Sequence, residues 1–220
     1  MANMTLSEYI LEVVLPAFGA TFRMLFASTI LSIIFGFLLA IALVVTNQQG
    51  LHPNKTIYKI LDFITNAIRS FPFIILIVAL VPFTRLIVGT SIGEKAAIVP
   101  LTIAMTPFIG RLIENSLQEV DRQLIEAARS FGASDWQIIW HVMVVEAVPG
   151  IVSGIVFTVI SALGATAMAG AVGAGGLGAI AIRYGYNNFN DAIMYSTVVL
   201  LLVLVQIIQL IGNRIYRKVL

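Results

Sequence analysis

Long apolar runs, separated by short charged segments, organise the chain. Met24 to Thr46 gives 23 consecutive residues without a charge, Ala147 to Ile182 gives 36, and Ala192 to Asn213 gives 22. A helix that crosses a bilayer needs roughly 20 such residues, so each run holds a span. The longest would measure about 54 Å as one helix, well beyond a hydrocarbon core of about 30 Å. Pro149, Gly150 and the glycines between 170 and 178 therefore predict one span over about 149–171, followed by an irregular glycine-rich segment. Two shorter runs lie between, each of 15 residues: Ser70 to Thr84 bounded by Arg69 and Arg85, and Ala96 to Gly110 bounded by Lys95 and Arg111. Terminal Arg and Lys side chains reach the interface from inside a membrane, so helices over about 62–84 and 94–114 are predicted to cross. Each run carries two prolines, Pro72 and Pro82 in the first and Pro100 and Pro107 in the second. Short, proline-interrupted spans in a pair mark either kinked packing helices or a transport pathway.

The expected fold is an all-α polytopic membrane protein: one domain over 1–220, with five transmembrane helices at about 20–46, 62–84, 94–114, 149–171 and 191–213. Composition agrees. Hydrophobic residues make up 59% of the chain and charged residues only 11%, against about 25% charged in a soluble domain. A net charge of +2 is too small to argue for nucleic acid. With no cysteine there is no disulfide, thiol nucleophile or cysteine metal site. The start of the chain lacks the basic region of a secretory signal and carries Glu8 and Glu12 instead.

Basic residues set the expected orientation. With the N-terminus outside, Lys55, Lys59, Arg69, Arg111, Arg122, Arg129, Arg214, Arg217 and Lys218 lie inside, nine against the four of Arg23, Arg85, Lys95 and Arg183. The C-terminus and the longest loop, about 115–148, then face the cytoplasm. Arg69, at the start of the second span, either reaches the interface or pairs with Glu114 or another loop carboxylate.

The segment from Gly173 to Gly178, GAGGLG, fits the dinucleotide fingerprint G-x-G-x-x-G, and Asp191 lies 18 residues beyond its first glycine. That fingerprint needs a preceding strand within a βαβ unit. Here an apolar helix precedes it, so nucleotide binding is set aside. Small residues let membrane helices approach closely, and Gly164, Ala165, Ala169, Gly170 and Gly173 supply several small-xxx-small pairs. Irregular backbone at membrane depth is tolerated only inside protein or beside a water-filled cavity. A packing face and a pathway wall are both open, with Ser161, Thr166, Met168, Gly170, Gly173 and Gly175 as the candidate pathway residues. Met168 is either a core side chain or a plug, and Tyr184 and Tyr186 stand where an outer mouth would be.

The long loop reads as helix, glycine corner, helix. Leu124, Ile125, Ala128 and Phe131 recur at helical spacing. Gly132 suits a left-handed cap, and Ser134-Asp135-Trp136-Gln137 is a capping-box pattern before an apolar run. Loops of this length usually carry function. Its apolar face, with Phe131 and Trp136, either packs on the chain's own helices or docks a cytoplasmic protein.

Glu126-Ala127-Ala128-x-x-x-Gly132 resembles the EAA loop of ABC-importer permeases. The family pattern continues with I-x-L-P, where this chain has Val142-Met143-Val144-Val145, so the proline is missing and Pro149-Gly150 is expected to supply the break. The segments RSFPFIILIVALVPFTRLIVGTSIG (69–93), AAIVPLTIAMTPFIGRLIENSL (96–117) and AMAGAVGAGGLGAI (167–180) are similar to the methionine-importer permeases of that family. The similarity covers about residues 20–215.

The resemblance implies a type I importer permease core in a bacterial inner (cytoplasmic) membrane, paired with a second copy of itself. It implies a cytoplasmic dimer of ATP-binding subunits and an extracytoplasmic substrate-binding protein or lipoprotein as partners, with the lipid bilayer as solvent and no nucleic acid. Carried onto this chain, Glu126, Ala127, Ala128, Arg129 and Gly132 are the positions that couple to the ATPase. Phe131 and Trp136 add buried contact by their chemistry. ATP and magnesium would be held by the partner; this chain has no G-x-x-x-x-G-K-[ST] motif, is expected to bind no cofactor and is not expected to be an enzyme. The implied cargo is D- or L-methionine, with another small amino acid or related solute as the alternative.

Three other classes fit the sequence less well. An ion-coupled secondary transporter would carry ionisable groups near the bilayer midplane, and the three long apolar runs have none. A membrane enzyme would need a cluster of His, Asp, Glu or Ser. Glu114, Glu119, Asp121, Glu126, Asp135 and Glu146 read as loop charges, and His52 and His141 are 89 residues apart. A passive structural subunit is opposed only by the coupling loop.

Overall fold

The computed structural model describes residues 9–219, and the described chain is helical throughout, with no strand. The first helix, α1 (Ile10–Thr46), opens with a π-helical turn over Ile10–Val14 and then runs straight through the first apolar run. Its buried positions are mostly small or hydroxylated: Thr21, Ser28, Thr29, Ser32, Gly36 and Ala40. Lipid gives helices no hydrophobic reason to associate, so close backbone approach and hydroxyl bonds have to supply the contact. α1 meets that need along α5 (Glu94–Gln118), its principal partner. A β-carbon on Gly36 would lie 2.9 Å from the Thr106 carbonyl oxygen of α5, and the Ser32 hydroxyl donates across to the Thr102 carbonyl at 3.3 Å.

Where one helix over about 62–84 is expected, the chain is broken into three pieces. These are α2 (Lys55–Ser70), α3 (Phe73–Ala79) and α4 (Val81–Val88), with α2 and α3 bent by 106° to one another. Pro72 is the cause. It disfavours helical backbone at Phe71, which is extended (ψ 132°), and it has no N–H to continue the ladder. α2 also starts earlier than the apolar run suggests, capped by the Asn54 side chain, which accepts from Thr56 N and Ile57 N. Among the described residues, four helices are long and apolar enough to cross a membrane, and a fifth crossing exists if the bent pair is one span.

Pro100 and Pro107 lie inside α5 without ending it. After α5 come the short helix α6 (Arg122–Ser130) and then α7, continuous over Asp135–Ala171. The expected break at Pro149-Gly150 does not occur. The helix passes through Pro149, and its irregularity lies earlier, in a π-helical turn over Ile138–Met143. α7 ends at Ala171, where Gly173, Gly175 and Gly176 take positive φ (94°, 83° and 81°). α8 (Gly176–Ile180) restarts there and extends as a π turn to Tyr186, and α9 (Asp191–Val219) completes the chain.

The core is layered along the bundle. At the end that carries the 119–134 connection, Ala40 and Val44 of α1, Ile109, Ile113 and Leu117 of α5, and Ile138, Met143, Ala147 and Ile151 of α7 form one buried cluster. At the opposite end Met24, Ile77, Ala97, Leu101, Ala165, Ala169 and Ala174 form another. There the glycine segment is tied in by polar bonds: Gly93 N donates to the Gly173 carbonyl at 3.0 Å, and Leu177 N donates to the buried Thr21 hydroxyl at 2.9 Å. Arg23 and Glu94 close the same end with a 2.9 Å ion pair.

Candidate coupling corner and pathway face

The EAA segment forms the expected corner. α6 is capped by Asp121, whose carboxylate accepts from Gln123 N at 2.8 Å, and it ends at Ser130. Gly132 turns the chain with φ +81°, and Ala133 N closes the turn on the Ala128 carbonyl at 3.1 Å. α7 then begins with a complete capping box between Ser134 and Gln137.

The corner presents one face outward and rests on the other. Phe131 is 92% exposed and Trp136 67%. Glu126, Ala127, Arg129 and Gly132 are also exposed. Ala128, by contrast, is half-buried and packs with Ile125 on the core cluster that joins α1, α5 and α7. The inner face thus seats the corner on three helices, while the outer face is free on this chain. A shallow depression of about 400 Å³ lies beside Phe131 and Gly132, walled by Gln137 and His141. Trp136 packs tilted against Trp140, with ring centroids 5.2 Å apart, and Trp140 stacks at 5.5 Å on Phe37 of α1, so an aromatic series leads from the corner into the bundle. Ion pairs brace it, Arg122 to Glu126 at 3.3 Å and Arg129 to Asp135 at 3.7 Å, together with a 2.6 Å hydrogen bond between His52 Nε2 and the Asp135 carboxylate.

The six pathway candidates do not converge on one point. Thr166 is buried, and its hydroxyl is used within α7, donating to the Leu163 carbonyl at 2.7 Å. Gly170 is also buried and lies against the backbone of α8, where its β-carbon would be 2.8 Å from the Gly178 carbonyl carbon. Both sit within the packing of this chain. Met168 is 52% exposed, Gly173 is exposed, and Ser161 and Gly175 are intermediate. Met168 therefore does not fill the core of this chain. It belongs to a strip along α7 formed by Phe157, Ser161, Gly164, Met168 and Ala171, spaced alternately four and three residues apart. Gly164 has no atom within 4 Å of its would-be β-carbon, so its smallness serves no contact inside this chain. Tyr186 is exposed, and Arg183 stacks over Tyr184 at 5.5 Å.

Glu114 is not a loop charge. It lies on α5, 1% exposed, and bonds Arg111 at 2.7 Å and Gln118 at 3.0 Å. Arg111 also pairs with Asp62 of α2. Arg69 takes no part: it is exposed and forms no ion pair among the described residues. The group had one sequence signal, Arg111 and Glu114 three residues apart at the end of an apolar helix, which is the spacing of neighbours on one face. Among the described residues no group of three or more His, Cys, Asp or Glu could hold a metal ion.

A bundle of apolar helices with an exposed glycine-cornered helix pair at one end, and a small-residue strip on its central helix, defines a membrane transport component. Residues 32–220 match the family described as the inner membrane component of binding-protein-dependent transport systems, and the chain belongs to that family. It is 45% identical to the probable D-methionine transport system permease protein MetI of Vibrio cholerae, over 94% of this chain and 92% of that one. It is 43% identical to the methionine import system permease protein MetP of Bacillus subtilis, over 79% and 78%. Among solved structures, a chain from inward-facing conformations of the MetNI methionine ABC transporter superposes with a TM-score of 0.95. That match covers 99% of this chain and all (100%) of the other, at 43% identity.

Proposed function

We propose that this chain is the membrane-spanning permease subunit of an ATP-driven methionine importer. The observation that carries the reading is the 0.95 TM-score match at 43% identity with a chain of the MetNI transporter. The permease works as a pair of copies on a dimer of cytoplasmic ATP-binding subunits, fed from outside by a substrate-binding protein. Its N-terminus is outside and its C-terminus inside. The excess of Lys and Arg at the end of the bundle that holds the corner supports this orientation. Gly212 of α9 lies against Val156, near the middle of α7, and Tyr216 lines a groove with Ser153, so Arg214, Arg217 and Lys218 approach that same end.

Each part of the chain has a task in this reading. The outer face of the corner, with Phe131 and Trp136, docks into the ATP-binding subunit. ATP closes that dimer, and the corner transmits the movement because it is seated by Ile125 and Ala128 on the core shared by α1, α5 and α7. The two copies then rock, and the pathway between them opens alternately to the two sides. The strip of Ser161, Gly164 and Met168 on α7 lines that pathway. Its small and flexible groups pass a thioether side chain without holding it, which suits release. Thr166 and Gly170 support the wall from behind, and Gly173 and Gly175 turn its outer end. ATP and magnesium stay on the partner subunit.

The test is uptake of labelled methionine into proteoliposomes that contain this chain, its ATP-binding subunit and its binding protein. Uptake that requires ATP is expected. Uptake driven by an ion gradient without the ATP-binding subunit overturns the importer reading, and ATP-dependent uptake of a different solute replaces the cargo.

A further inference from the structure

The polar group at the inner end of α5 has no place in the scheme above. Arg111 lies on α5 and pairs with two carboxylates at once, Glu114 on its own helix at 2.7 Å and Asp62 on α2. Glu114 is completed by Gln118 at 3.0 Å and by the Tyr58 hydroxyl of α2 at 3.5 Å, and Asn66 of α2 lies 3.5 Å from the Arg111 guanidinium. Three side chains of α2 thus converge on one pair of charges. We propose that Arg111 is a positioning residue that fastens α2 to the helix leading into the coupling corner, so that α2 moves with that corner during transport.

α2 approaches α1 as well as α5, but it buries little against either. Thr65 is its only buried residue, while Ile57, Ile60, Phe63 and Ile64 are exposed. Apolar side chains facing lipid give no preference for one helix neighbour over another. Charge-assisted hydrogen bonds do, because they are directional and stronger than neutral ones. Buried charge in a membrane protein is also costly unless paired, so Arg111 and Glu114 favour the arrangement in which α2 supplies the remaining partners. At its far end α2 meets the 106° break before α3, where the backbone no longer carries helix rigidity. The stretch of α2 from Tyr58 to Asn66 is therefore bound to α5, and the chain is free to hinge beyond Ser70. Only Glu119, Val120 and Asp121 separate α5 from α6, and Arg111 lies about two helical turns from that end of α5, so a displacement of the corner reaches it directly along the helix.

The inference rests on the importer reading, and the experiment separates the two. Tyr58→Phe with Asp62→Ala removes two arms from α2 and leaves the Arg111–Glu114–Gln118 group intact inside α5, so the buried charges keep their partners. The complex, reconstituted with its ATP-binding subunit and binding protein, is assayed for methionine taken up per ATP hydrolysed. Spin labels at Ser70→Cys on α2 and Glu119→Cys at the end of α5 report the distance between them with and without ATP; the chain has no native cysteine to interfere. In the otherwise unchanged protein one distance, the same in both states, is expected. In the double variant we expect a broadened distance that shifts with ATP, and uptake per ATP lower by about tenfold, the size of an ordinary coupling free energy. Asp62→Glu, which keeps the carboxylate, restores most of the coupling. A double variant that transports per ATP like the parent overturns the proposal, as does a parent distance that changes between states. Absence of ATP-driven uptake in the parent overturns the importer reading instead.

Discussion

Gly170 of α7 and Gly178 of α8 bring two backbones into direct contact, such that a β-carbon on Gly170 would stand 2.8 Å from the Gly178 carbonyl carbon. The approach is mutual, since a β-carbon on Gly178 would stand 2.7 Å from the Ala167 carbonyl carbon. Both obstacles are backbone, which cannot rotate away. Gly178→Ala is therefore expected to lower the stability of the detergent-solubilised protein by about 1–3 kcal/mol, the range for overpacking a close contact. Gly164→Ala is the control. Its β-carbon meets nothing within 4 Å, and alanine favours helix over glycine by about 0.5–1 kcal/mol, so its melting temperature should hold or rise. Equal melting of the two variants would show that the 170–178 contact is not what fixes the segment.

The same segment depends on one side-chain hydroxyl. Leu177 N, at the start of α8, is buried and has Thr21 Oγ1 as its acceptor at 2.9 Å. Its place in the first turn of a helix leaves it without a partner further back along the chain. Thr21→Val keeps the shape and removes the acceptor, and a buried donor left unpaired costs about 1–3 kcal/mol. Thr21→Ser keeps the bond and is expected to melt close to the parent. A valine variant as stable as the serine variant would mean that Leu177 N finds another partner.

Much of this architecture is legible in the residue pattern because membrane helices must satisfy their own backbones. The runs starting at Met24, Ala96 and Ala192 each fall within one long helix, and the run from Ala147 leaves its helix after Ala171, at the glycines expected to end it. The corner is legible for a local reason: Gly132 and the Ser134–Gln137 box act within four residues, and their geometry needs no distant partner. The run from Ser70 to Thr84 misleads because apolar content continues across Pro72 while helical backbone does not. Pro149 misleads in the opposite sense, since its helix continues through it and the irregularity falls at the π turn over Ile138–Met143 instead. Glu114 is hidden because its burial depends on Tyr58 and Arg111 together, and 56 residues separate Tyr58 from it along the chain. Of the candidate pathway residues, Thr166 and Met168 lie two apart on one helix and face opposite ways. Which faces inward is decided by α1, α5 and α8, not by their own neighbourhood in sequence.

Gly132 is expected to be sensitive for conformational rather than steric reasons. Its φ is +81°, and its β-carbon position has no atom within 4 Å. Alanine there would meet no clash but would bear the left-handed penalty, roughly 1–2 kcal/mol. The corner can relieve that strain by opening, because neither Phe131 nor Gly132 is held by burial. Gly132→Ala should leave the melting temperature of the bundle little changed while lowering ATP-driven uptake. A large fall in melting temperature with coupling intact would contradict this assignment.

Phe131 separates docking from folding more sharply than any other residue of the corner. With 92% of its surface exposed, it contributes almost nothing to packing within this chain, and Phe131→Ala should leave thermal stability within about 0.5 kcal/mol, the range of ordinary surface substitutions. An exposed aromatic anchor that fills a pocket on a partner is worth about 2 kcal/mol or more when truncated. Binding of the ATP-binding subunit to the solubilised variant should accordingly weaken by roughly 30-fold, with loss of uptake in proportion. Trp136 makes the contrasting case, because its ring also packs, tilted, against Trp140 at 5.2 Å. Trp136→Ala is expected to lower both stability and binding. If Phe131→Ala binds its partner as tightly as the parent does, the docking face lies elsewhere on the corner, and the exposed residues of α6, Glu126, Ala127 and Arg129, become the next to test.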